Sequence, residues 1–164
     1  MKPAISWKPS LSTAKHLKNS SIILATLCLV AVPFCRGSVD DDFPIFVLPL
    51  FLLNFPLFFG AVLILVSRTE GKRTKDWTKV LFRGLPDGFA RTYKLAFFTI
   101  WLIGMYLMVG PMLAGDKLPS LGISPAALFA LVPAVFYLTS YGAYASVVVE
   151  RINEAQQGGA GNVG

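Results

Sequence analysis

Four stretches of the chain are apolar almost without interruption, and the charged residues collect between them. They run roughly from Ser21 to Cys35, Phe43 to Val66, Leu95 to Ala114 and Pro125 to Val149. A helix rises about 1.5 Å per residue, so a hydrocarbon core of about 30 Å asks for roughly 20 apolar residues. The last three stretches meet that length. The first is short and calls for local bilayer thinning, or for snorkelling by Lys18 and Arg36. The pattern predicts an all-α integral membrane protein with four transmembrane helices. It divides the chain into a basic leader (1–20), a helical hairpin (21–66), a basic loop (67–94), a second hairpin (95–149) and a tail (150–164). The tail ends in QQGGAGNVG, buries almost nothing, and is expected to be flexible.

Lysine and arginine set the orientation. Thirteen of the fifteen lie in the leader, the 67–94 loop and the tail. Arg36 and Lys117 stand alone in the two other connections. The expected topology therefore has both termini and the middle loop inside, in a bacterial cytoplasmic membrane. Asp40, Asp41 and Asp42 form a solvated outer turn in this reading. An alternative treats the leader and first apolar run as a signal peptide cut after Gly37; it leaves the other spans oriented the same way.

Within the basic loop, Trp77, Val80 and Leu81 recur at helical spacing, while Lys75, Lys79 and Arg83 take other faces. Thr74 and Gly84 suit the start and end of a helix. A short amphipathic helix on the inner leaflet is expected, with Trp77 at headgroup level. The bland alternative is a loop helix packed on its own bundle.

Two features inside the spans carry shape. Ala126, Ala130 and Ala134 continue through Leu138 to Gly142 and Ser146 as one row at a spacing of four. Small residues so placed let helix backbones approach closely, within the chain or against a partner. Tyr137, Tyr141 and Tyr144 form an adjacent stripe whose hydroxyls need acceptors if buried, such as carbonyls freed by proline. In the second span, Pro49 and Pro56 lie seven residues apart on nearly one face, with Asn54 between them. They predict one sustained bend, with Asn54 bonded to a neighbouring helix.

Composition narrows the chemistry. The chain is 54% hydrophobic and 15% charged, whereas soluble domains carry about a quarter charged residues. The net charge of +6 is spread beside apolar spans, which fits anionic lipid headgroups and argues against nucleic acid. His16 is the only histidine, and Cys28 and Cys35 share one helix about 10 Å apart, so no cofactor, metal site or disulfide is expected. The span interiors hold no Asp, Glu, Lys, Arg or His and no catalytic set, so no catalytic residue is expected.

The expected role is a non-catalytic accessory or assembly subunit that binds another membrane protein or itself. The runner-up is a transporter or channel-like component for a neutral or apolar molecule, with Asn54 on its path. A membrane-embedded immunity or exclusion factor is a third class, resting on architecture alone.

Overall fold

The computed structural model describes residues 7–35, 45–72, 74–114 and 125–160. The Asp40–Asp42 turn, the cleavage junction at Gly37 and the 116–124 connection lie outside them. Every regular element among the described residues is helical: α1 (Leu11–Ala31), α2 (Leu48–Thr69), α3 (Trp77–Leu81), α4 (Asp87–Ala114) and α5 (Leu128–Ala160). Single 3₁₀ turns extend α1 to Phe34 and precede α2 and α5. Three segments are long and apolar enough to cross a membrane: Leu11–Phe34, Ile45–Thr69 and Leu128–Gln157. The remaining apolar stretch, from Leu95, is helical as the second part of α4.

The first span is longer than its hydropathy suggests. α1 begins at Leu11, ten residues before the apolar run, because Ser10 caps it by accepting from the Thr13 amide at 3.1 Å. The 24-residue segment no longer needs a thinned bilayer. Its buried face is small: Ala14, Ser21, Cys28 and Cys35 recur every seventh residue, joined by Ala25 and Ala31. That face lies on α5, and the α1–α5 contact is the most extensive in the molecule. Both cysteines are buried, and neither is in a disulfide.

α5 is the central helix. Sixty-one per cent of its most apolar window is buried, against 22% for α1 and 28% for α2. The helix also continues where the flexible tail was expected, through Glu150 to Ala160. The segment ERINEAQQ consists largely of good helix formers, and an Arg151–Glu154 pair at 3.1 Å supports its first turn.

α2 is continuous across the proline stretch. Pro49 sits in its first turn, where no intrahelical N–H bond is required of it. Only Pro56 is interior. The expected pair of kinks therefore reduces to one.

Polar groups within the helices are mostly satisfied by their own backbone. The hydroxyls of Ser21, Thr139 and Ser140 donate to carbonyls four residues earlier, at 2.8, 2.9 and 3.0 Å. In an apolar surrounding such back-bonding removes the cost of an unpaired hydroxyl.

Candidate functional site

The small row of α5 is used inside the chain. Ala126, Ala130, Ala134 and Ser146 are at most 1% exposed, and Gly142 is buried too. A Cβ at Gly142 would stand 2.5–2.7 Å from the rings of Phe82 and Phe89, closer than packed carbon atoms come. Phe82, in the segment after α3, and Phe89, in α4, reach α5 through that gap.

Two of the three tyrosines bind α2 to α5. Tyr137 Oη donates to the Leu50 carbonyl, and Tyr144 Oη donates to the Leu57 carbonyl at 3.0 Å. The partners are 87 residues apart in both bonds, so the two helices run parallel with a common step of seven. Neither acceptor is the carbonyl that Pro56 frees, which belongs to Leu52. The tyrosines use second lone pairs of helix carbonyls instead. Tyr141, half-buried, turns to Phe89 with ring centroids 5.9 Å apart. Asn54 lies between the two bonded positions on α2 and is 4% exposed, and its Oδ1 accepts no hydrogen bond. It faces the protein, as the sequence required.

The loop helix packs on the bundle. α3 is only five residues long, with Asp76 and not Thr74 at its N-cap. Thr78 and Leu81 are buried, and Trp77 meets Tyr93 edge-on at 6.1 Å. Gly84 follows with φ +81°, the left-handed conformation glycine permits, and ends the segment against Val149. Lys75, Lys79 and Arg83 point to solvent. Tyr93 is 2.7 Å from Thr139 Oγ1; that hydroxyl's single proton already goes to Val135, so Tyr93 is the donor.

Arg68 is the node that sequence reasoning missed. Its Nη1 donates to the carbonyls of Val80 and Leu81 at 3.0 and 2.7 Å, closing the C-terminal end of α3. Its Nη2 pairs with Glu150 Oε2 at 2.9 Å. Thus one guanidinium, its side chain 10% exposed, ties together α2, α3 and α5. A signal was present: each is the first charge after its apolar run, and parallel helices bring such residues to one level.

Around this node opens a cleft of about 810 Å³. Lys8, Arg68, Lys79 and Arg83 supply its basic groups. Its far wall is one face of the extended α5, from Glu150 through Asn153 and Glu154 to Gln157. The two carboxylates are matched by Arg68 and Arg151. Lys79 has only an exposed pair with Asp76 at 3.7 Å, and Lys8 and Arg83 have no carboxylate partner among the described residues. The cleft is therefore an excess of positive charge at the end of the apolar bundle, suited to holding an anion. Among the described residues no cluster of three metal-ligating side chains occurs. No protein-family model, curated protein or solved structure matches the chain.

Proposed function

We propose that this protein is a non-catalytic membrane subunit that docks against a transmembrane helix of another membrane protein. The observation that supports it is the seam between α4 and α5. There an apolar groove of about 520 Å³ is lined by Phe97, Ile100 and Gly104 of α4 and by Val132, Val135 and Phe136 of α5. The small row of α5 is already filled by α1, α2 and the loop phenylalanines. The α4–α5 groove is the face left for an intermolecular contact.

In this reading α4 is the fourth span, with Leu95, Phe98, Trp101, Leu102 and Met105 as its lipid-facing or partner-facing stripe. The basic end of the bundle faces the cytoplasm, in keeping with the charge asymmetry. The topology is tested by thiol labelling: Lys79→Cys and Lys117→Cys should react from opposite sides of the membrane. The function is tested by crosslinking from Ile100 in mild detergent, where one stoichiometric membrane protein is expected. Gly104→Trp, which fills the groove, should release that partner while helix content stays unchanged. A chain that purifies as a monomer with no crosslinked partner sinks the reading.

A second reading, passage of a neutral molecule, draws on Asn54, whose buried Oδ1 is unbonded. Liposome flux abolished by Asn54→Leu would favour it over the first.

A further inference from the structure

An apolar groove lies beside the basic cleft. Between α1 and α2, which touch each other little and both lean on α5, runs a groove of about 600 Å³. Its walls include Leu17 and Leu24 of α1 and Leu53, Leu57 and Leu63 of α2. Trp7 lines this groove, the adjacent Lys8 lines the basic cleft, and both line a small void of about 10 Å³ beside Ile64 and Arg68. The site is thus polar and cationic at one end and apolar at the other. From Leu63 to Leu53 the groove follows ten residues of α2, or about 15 Å along a membrane-compatible helix.

We propose that the cleft and groove together bind one anionic phospholipid. Its phosphate sits among Lys8, Arg68, Lys79 and Arg83, and an acyl chain descends between α1 and α2 past Trp7. The charge fits because both carboxylates of the cleft already have arginine partners, which leaves Lys8 and Arg83 for the headgroup. The depth fits because Arg68 ends the apolar run of α2, where headgroups begin. Asn153 and Gln157, on the helical part of the tail, add hydrogen-bond donors to the same wall. This proposal requires the chain to lie in a bilayer and does not depend on a protein partner.

The test uses the full chain carrying Trp77→Phe and Trp101→Phe, which leaves Trp7 as the only tryptophan to be excited selectively, in zwitterionic phosphatidylcholine nanodiscs. Phosphatidylglycerol with brominated acyl chains should quench Trp7 several-fold more than brominated phosphatidylcholine at equal mole fraction. Lys8→Gln and Arg83→Gln should each weaken the preference by on the order of fivefold. Lys75→Gln, outside the cleft, should leave it unchanged. Ser20→Phe, which crowds the groove, should reduce quenching by both lipids. Excess inorganic phosphate should not reverse the quenching. Equal quenching by the two lipids overturns the proposal. So does reversal by phosphate, which would assign the cleft to a free anion. An equal loss with Lys75→Gln also overturns it, by showing diffuse surface attraction. Circular dichroism on each variant separates a lost site from a lost fold.

Discussion

α5 meets α2 and α4 in two different ways. Against α2 it places tyrosine hydroxyls onto backbone carbonyls at two heights, with an arginine–glutamate pair closing the end. Against α4 a side-chain bond joins Tyr93 to Thr139, and beyond Phe97 a groove opens. Both seams are rich in apolar side chains. In a bilayer, apolar contact alone gives little reason to prefer a neighbouring helix over lipid. Directional bonds make the difference, and among the described residues those onto backbone carbonyls lie on the α2 side.

Four substitutions test this contrast, each read by denaturant titration in detergent micelles. Arg68→Ala should be the most damaging, at about 3 kcal/mol, because it strands Glu150 and uncaps α3. An Arg68→Ala protein restored to full stability by adding Glu150→Gln would show that the stranded charge is the main loss. Gly60→Ala should cost about 2 kcal/mol, since its methyl must displace the Tyr144 hydroxyl at the α2 seam. Tyr144→Phe should cost about 1 kcal/mol for the hydroxyl bond to Leu57. Gly104→Ala should be neutral or stabilising by less than about 1 kcal/mol, because its methyl would find only Leu128 at 3.8 Å. If Gly104→Ala proved as harmful as Gly60→Ala, the two seams would not differ as described.

The apolar stretches and the small row of α5 could be read from sequence because both are local patterns with a helical period. So could the buried tyrosines' need for acceptors, although the acceptors themselves could not. Pro49 was misleading: proline's effect depends on whether it falls in a first turn, and the boundary at Leu48 is set by the preceding 3₁₀ turn. The helical tail was obscured by its terminal glycines, which hide the helix-forming ERINEAQQ segment before them. Trp77 was ambiguous by nature, since an amphipathic stripe suits a lipid surface and a protein surface equally. The heptad of Ala14, Ser21, Cys28 and Cys35 was visible in principle. It crosses the boundary between polar leader and apolar run, which separates its members when hydropathy alone divides the chain.

The equal spacing of the two tyrosine bonds has a mechanical meaning. A slide of α2 along α5 must break both at once, together with the Arg68 pair, so the two helices share one fixed length. Bilayers differ in thickness, and a bundle must absorb the mismatch by tilting. Spin-label distances across bilayers of increasing acyl length should therefore stay constant between α2 and α5 and change between α4 and α5. The unlocked helix would then act as the protein's compliance, yielding to the membrane while the α2–α5 pair holds its gauge.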